Sequence, residues 1–262
     1  MSSALFLDRD GVINEKAPEG QYITCAADFH MLPGVPQAIA ELRVRVPGVR
    51  IVVVTNQRGV AREEVSRETL DEIHTAMRAK LRAVGGDVDS IEVCPHEIGA
   101  CDCRKPGLGL FLRAIERFPD IDTAASVVVG DSTADLEAGF HLGARTCLVG
   151  NPERRARVRH EAAERQVRVD LEGASLPELV AGGTLVEWLS QGADWGRRDA
   201  AGEPFAPAAE IMEVPTRVSL PGVGSVATSI AVVGTPDGEG ATASLPGPGG
   251  PGAPGVPDGG HG

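Results

Sequence analysis

Short apolar runs alternate with amphipathic stretches over the first 150 residues of the chain. Ala4–Leu7, Arg50–Thr55, Ser90–Val93, Ser126–Val129 and Arg145–Val149 are rich in Val, Ile and Leu, and several carry no polar alternation. Continuous apolar runs of that length fit strands covered on both faces, as in a parallel sheet. Between them, Leu70, Ile73, Met77, Leu81 and Val84 recur at spacings of three and four, and a second stripe carries Leu110, Phe111, Ala114 and Ile115. These are faces of amphipathic helices. Strand and helix in alternation predict an α/β fold, a doubly wound, Rossmann-like parallel sheet. Ligands in such sheets bind beyond the carboxyl ends of the strands, so the polar residues there are where chemistry is expected.

After residue 150 the pattern loosens. Leu176, Leu179 and Val180 predict one more helix, and Leu185–Leu189 is a short apolar patch. Val218–Val233 is β-prone but has no evident partner, and the chain closes on SLPGPGGPGAPGVPDGGHG. Gly- and Pro-rich sequence of this kind cannot bury enough apolar surface to order itself. The expected organisation is a domain over 1–190 and a low-complexity, disordered tail over 191–262.

Hydrophobic residues make up 42% but aromatics only 3%, so the core is expected to be aliphatic. The net charge of −12 argues against nucleic acid as a partner. The basic cluster at Arg154, Arg155, Arg157 and Arg159 reads as a solvated helix face. Neither a secretory leader nor an apolar run of membrane-spanning length is recognisable, which predicts a cytoplasmic protein without a membrane partner. Five cysteines, three of them within ten positions, do not suggest a disulfide framework; such clustering more often means metal.

Four motifs sit at strand ends. Leu5-Phe6-Leu7 runs into Asp8-Arg9-Asp10-Gly11, where residues two apart on an extended chain face the same way. Two carboxylates so placed favour a divalent cation, and oxygen ligands suit Mg²⁺. Ile51–Val54 runs into Thr55-Asn56-Gln57, where the Thr55 hydroxyl and the Asn56 amide are donors for a phosphate oxygen or simply turn formers. Arg104-Lys105-Pro106-Gly107 puts an ammonium before a proline suited to a first helical turn, where anions are favoured. Val127-Val128-Val129-Gly130 leads to Asp131, available as a metal ligand, and to Asp135, which with Ser132 also fits a capping box.

Cys94-Pro95-His96 followed by Cys101-Asp102-Cys103 gives C-x-H-x₄-C-x-C directly before Arg104. Three thiolates and one imidazole match the tetrahedral preference of structural Zn²⁺, against the alternative of free cysteines with an unrelated histidine. All four positions are filled by protein, so such a metal is structural.

The succession of strand-DxDG, strand-TN, Lys-Pro and strand-GDxxxD over roughly residues 4–150 resembles the haloacid dehalogenase-like phosphatases. The resemblance implies that Asp8 attacks phosphorus, that Asp10 acts as general acid and then base, and that Thr55 and Lys105 hold the phosphoryl group. It further implies Mg²⁺ on Asp8, Asp10 and Asp131, and substrate contacts from Arg9, Asn56 and Arg104. Catalysis then requires the carboxyl of Asp10 to titrate above that of Asp8.

The metal loop Cys94, His96, Cys101 and Cys103 narrows the resemblance to the zinc-bearing subgroup of heptose bisphosphate and histidinol phosphate phosphatases. TNQRGVAR at 55–62, DRDGVIN at 8–14 and Tyr22 lean toward the heptose side. The implied substrate is a small sugar phosphate, D-glycero-D-manno-heptose 1,7-bisphosphate losing its 7-phosphate. Histidinol phosphate and an inactive zinc-stabilised binding module are the alternatives. The chain departs from that subgroup at Glu97, where a second histidine often stands, and at Ser132, where heptose enzymes often carry lysine. No gap between motifs holds a separate cap domain, so a minimal cap from the 15–32 loop and the metal loop, an open site and a monomer are expected.

Overall fold

The computed structural model describes residues 1–191 together with 216–220 and 223–228. Residues 1–205 and 206–262 form separate compact units. In the first unit six strands make one parallel sheet: β1 (Ala4–Leu7), β2 (Arg50–Asn56), β3 (Ser90–Cys94), β4 (Val127–Gly130), β5 (Arg145–Val149) and β6 (Leu171–Gly173). Their spatial order is β3-β2-β1-β4-β5-β6. The chain winds outward from β1 in one direction and then, from β4, in the other, so the crevice between β1 and β4 is the topological switch point.

Side-chain alternation divides each central strand between two cores. Leu5, Leu7, Ile51, Val53, Val127 and Val129 face a large cluster completed by α1 (Val35–Arg45), α2 (Arg67–Arg82), α6 (Leu176–Ala181) and α7 (Thr184–Gln191). Ala4, Phe6, Val52, Val54 and Val128 face the other side, closed largely by α3 (Gly109–Arg117). There Phe6 and Phe111 meet edge to face, ring centroids 5.1 Å apart. A smaller cluster joins α4 (Thr133–Leu142) and α5 (Pro152–Glu164) to β5.

The five expected strands form, with β2, β3 and β4 ending one residue later than read. β6 was not anticipated: three residues are too few for a periodic signal. Val84 does not extend the α2 stripe; it lies past the last turn and is 41% exposed. The apolar patch Leu185–Leu189 is the buried face of α7, tied to the sheet where the Ser3 hydroxyl donates to the Leu189 carbonyl at 2.6 Å. Residues 15–34 carry a single turn of 3-10 helix at Ala26–Asp28 and a fully buried Phe29. They form the minimal cap, and no cap domain is present among the described residues.

In the second unit β7 (Thr216–Leu220) pairs antiparallel with β8 (Val223–Thr228), so the β-prone stretch finds its partner in its immediate neighbour. The rest of the expected tail over 191–262 lies outside the described residues, Gln191 excepted. No described helix is long and apolar enough to cross a membrane.

Candidate active site

The register aligns Leu7 with Val53 on one side and with Val129 on the other. The residues that follow these strand ends therefore converge on one spot above the β1–β4 crevice. Oxygen atoms of Asp8, Asp131 and Asp135 lie within 4.8 Å of one another, and all three side chains are buried. The loop containing Lys105 reaches the same place from before α3. Its ammonium lies 2.8 Å from Asp8 Oδ1 and 2.6 Å from Asp135 Oδ1, and it donates to the Val54 carbonyl at 2.6 Å. Two glycines make this crowding feasible. Gly11, at φ 95°, has Asp131 Oδ2 where a Cβ would sit, and a Cβ on Gly130 would collide with Asp135.

Burial pushes the Asp8 carboxyl up to about 7; Lys105 opposes the rise and the neighbouring Asp135 and Asp131 add to it. Burial disfavours the charged form of Lys105 too, but Asp135 and Asp8 outweigh it and hold the ammonium protonated. Asp135 does two things with one carboxylate. Its Oδ2 accepts from the backbone N–H and hydroxyl of Ser132, closing the N-terminus of α4, while Oδ1 meets Lys105.

Asp10 departs from expectation. Its side chain turns away from the acidic cluster into a cradle of donors: Arg9 Nη2 reaches Oδ1 at 2.9 Å and Oδ2 at 3.0 Å, Asn14 Nδ2 reaches Oδ1 at 2.9 Å, and Gln57 Nε2 reaches Oδ2 at 2.8 Å. The carboxylates gathered for a metal are thus Asp8, Asp131 and Asp135, without that of Asp10. Burial disfavours the charged Asp10, but Arg9, Asn14 and Gln57 together hold its carboxyl below the ordinary carboxylate value. The expected order of Asp10 above Asp8 is therefore reversed, because the two carboxylates sit in opposite fields.

Three other readings change with the structure. Arg9, expected at substrate, is 1% exposed and engaged by Asp10 and by His74 Nε2 at 3.2 Å. Asn56 clasps the backbone of Lys105, accepting from its N–H at 3.1 Å and donating to its carbonyl at 3.2 Å. Pro106 follows a cis peptide bond and precedes the first turn of α3 at Gly109, so it does not start that helix. Thr55 is fully buried, and its hydroxyl oxygen accepts from Gln57 Nε2 at 2.7 Å. Arg104 Nη1 is buried and has no hydrogen-bond partner among the described residues.

Beside Asp131 opens a cleft of about 780 Å³ lined in part by Gly11, Glu15, Lys16, Asn151, Arg154 and Arg157. Lys16 Nζ lies 2.5 Å from Asp131 Oδ1, and Arg154 pairs with Oδ2 of the same residue. The arginine cluster on α5 is thus only partly a solvated face: Arg154 turns to Asp131, and Arg155 and Arg159 turn to Glu172.

The four soft donors come together as their spacing suggested. Cys94 Sγ lies 3.6 Å from Cys101 Sγ and 3.8 Å from His96 Nδ1, and Cys103 Sγ lies 3.3 Å from both Cys101 Sγ and His96 Nδ1. A tetrahedron with metal–sulfur bonds of about 2.3 Å has edges near 3.8 Å, so the set fits a four-coordinate ion. Burial, with Cys101 and Cys94 crowded beside it, pushes the Cys103 thiol up to about 12. Glu97, in place of a second histidine, accepts from Arg58 Nη1 at 3.4 Å and Arg62 Nε at 3.1 Å, tying the metal loop to the loop after β2. The hard oxygen donors of the acidic cluster suit Mg²⁺ in the same way.

Sequence reading missed Asn14, Gln57, His74, Lys16 and Arg154 as parts of this region. His74 had a detectable signal, a polar residue at Leu70 plus four in an apolar stripe. The others are joined to their partners only by the fold.

Comparison with known proteins agrees with this geometry. A family model described as HAD-hydrolase-like matches residues 102–174. The D-glycero-alpha-D-manno-heptose-1,7-bisphosphate 7-phosphatase of Mycobacterium bovis is 43% identical over 141 residues, 53% of this chain and 73% of that protein. The D-glycero-beta-D-manno-heptose-1,7-bisphosphate 7-phosphatase of Pseudomonas putida is 42% identical over 146 residues, 55% of this chain and 81% of that protein. A crystal structure of D,D-heptose 1,7-bisphosphate phosphatase from B. bronchiseptica, complexed with magnesium and phosphate, aligns with a TM-score of 0.60 at 32% identity. That alignment covers 69% of this chain and 97% of the other. With its ordered motifs gathered at one switch point and relatives of this similarity, the chain belongs to the haloacid dehalogenase-like phosphatases.

Proposed function

We propose that this phosphatase works through an aspartyl-phosphate on Asp8 and that its substrate is a heptose 1,7-bisphosphate, from which it removes the 7-phosphate. The observation that carries the mechanism is the buried Lys105 ammonium, held between Asp8 and Asp135 at the switch-point crevice. A nucleophilic carboxylate there is backed by a fixed cation on the side where phosphoryl charge accumulates.

In the first displacement an Asp8 oxygen bonds to phosphorus and the P–O bond to the sugar breaks. Asp10 gives its proton to the departing alkoxide. In the second, Asp10 takes a proton from water as the hydroxide attacks phosphorus, releasing phosphate and regenerating Asp8. Lys105 neutralises the phosphoryl oxygens, with Thr55 contributing beside it. Asp10 rests as an anion, but a phosphate dianion bound next to it raises its pKa by like-charge repulsion. Asp8 and Asp131, with Asp135 beside them, would hold Mg²⁺, which would supply positive charge against the transferring group and favour the ionised form of Asp8. Arg104, with a buried Nη1 that has no hydrogen-bond partner among the described residues, contacts the substrate. Asn56 acts indirectly, by fixing Lys105. Cys94, His96, Cys101 and Cys103 hold a structural Zn²⁺. The catalytic domain spans residues 1–190 and works as a monomer.

The substrate reading rests on the names of the relatives, which differ in anomer between Mycobacterium bovis and Pseudomonas putida. Turnover of both heptose bisphosphate anomers and of histidinol phosphate, each with and without Mg²⁺, tests it. Preference for a heptose bisphosphate is expected; faster hydrolysis of histidinol phosphate would overturn the assignment.

A further inference from the structure

One buried polar group beside the site that the mechanism leaves unused is His74. It stands on the inward face of α2 among Leu70, Ile73 and Met77 and is 7% exposed. Its Nε2 meets Arg9 Nη1 at 3.2 Å. A guanidinium has no acceptor, so the imidazole accepts here and carries its proton on Nδ1. Arg9 is itself 1% exposed, and its carbon Cζ lies 5.9 Å from the Phe29 ring centroid. With one end of the fork held by His74, the other end meets both oxygens of Asp10 at 2.9 and 3.0 Å. Asn14 and Gln57 complete the cradle, Gln57 tied back to Thr55, and Arg9 is the donor anchored from α2 through His74.

We propose that His74 and Arg9 are positioning residues: the imidazole fixes the rotation of the guanidinium, and the guanidinium fixes the plane and reach of the Asp10 carboxyl. This rests on the reading of Asp10 as the acid–base group. A carboxyl two residues beyond the nucleophile sits on a tight turn, where its side chain has rotational freedom. A buried bidentate partner removes that freedom at no cost during the reaction. A leucine at position 74 would continue the apolar stripe but leave the buried Arg9 Nη1 without its acceptor. A loss of stability is therefore expected from a purely structural role as well, and only the dependence on leaving group separates the two.

The consequence is a dependence on the leaving group. Loss of a well-placed general acid matters when the departing oxygen is a basic alkoxide and little when it is a stabilised phenolate. The parameter to compare is kcat/KM, which covers steps only through the first irreversible one, phosphorylation of Asp8. The experiment measures it for an alkyl or sugar phosphate and for p-nitrophenyl phosphate in the Mg²⁺-loaded wild type and in His74→Leu, His74→Gln and Arg9→Lys. Thermal midpoints of the same four proteins are recorded by circular dichroism. For His74→Leu the expected result is a fall of about tenfold or more on the alkyl phosphate and less than about threefold on p-nitrophenyl phosphate. His74→Gln, which keeps an acceptor, recovers most of the loss. Arg9→Lys, which keeps the charge but not the fork, shows the same leaving-group selectivity, and it carries the test should His74→Leu not fold. Equal falls on both substrates, or none on either, would overturn the proposal. Asp10→Asn is the separate control: if it fails to discriminate between leaving groups, the acid–base reading of Asp10 is what has failed.

Discussion

The Lys105 ammonium lies 2.6 Å from Asp135, with 2% of either side chain exposed. A charge pair so buried is stable only as a pair, and here Lys105 also serves Asp8. Lys105→Met leaves three carboxylates facing one another. Activity is expected to fall by about 10² or more, and stability by about 3 kcal/mol. Asp135→Asn keeps an acceptor for the α4 cap but loosens Lys105, so kcat should drop about tenfold with a smaller loss of stability. Steady-state kinetics and urea denaturation of the two variants check the order; equal losses in both would contradict it.

Gly11 turns the chain away from Asp8 with a positive φ and leaves room for Asp131. Gly11→Ala is expected to cost about 1 kcal/mol or more from backbone strain. Its Cβ would also displace Asp131, so Mg²⁺ titrations should show weaker half-saturation of activity. A variant with an unchanged Mg²⁺ requirement would mean that Asp131 is not a ligand.

The thiol-imidazole cluster should bind one Zn²⁺ per chain by elemental analysis. Cys101→Ser should lose the ion and lower the thermal midpoint, because binding to a site absent from the unfolded chain stabilises the fold. A wild-type protein with no bound zinc after metal-replete expression would contradict the assignment.

Burial, with Arg9 adding to it, pushes His74 down to about 3 from its ordinary 6.5. The unfolded chain therefore binds this proton where the folded protein does not. The stability that follows is fully present above pH 6.5 and is lost as the pH falls toward 3. Asp8, pushed up by burial to about 7, acts in the opposite sense, gaining stability as the pH falls through that value. The thermal midpoint of the wild type alone mixes the two. The informative quantity is its difference from His74→Gln between pH 6.5 and 5, where the wild type should lose more stability on acidification. Parallel curves would mean that His74 is not held neutral.

The domain boundary is tested by truncation. A chain ending at Gln191 keeps Leu185, Trp188 and Leu189, which pack into the large core cluster. It should retain the full kcat/KM and thermal midpoint, and a large loss of either would move the boundary outward.

The sheet, its strand ends and the metal loop were legible because each is written locally. Apolar runs such as Ile51–Val54 name a doubly covered strand, and a cluster such as Cys94, His96, Cys101 and Cys103 needs only ten residues to close. The choice of Asp8, Lys105 and Asp131 as candidate site residues followed from their places after such strands or before α3. What local pattern does not contain is the direction of a side chain that has more than one partner within reach. Asp10 reads as a twin of Asp8 by spacing, yet Arg9 is held from α2 and turns it away from the acidic cluster. Asp135 reads as a helix cap and is one, but only the approach of the Lys105 loop gives its second oxygen a role. Arg154 and Lys16 meet at Asp131 from positions 23 and 115 residues distant. The sequence by itself thus determined the fold and the family and singled out Asp8 as the proposed nucleophile, since strand-end motifs are short-range. Which charges face one another, and hence which carboxyl is driven up and which down, was decided only by tertiary packing. Electrostatic interactions depend on distance and burial through space, which residue spacing along the chain does not specify.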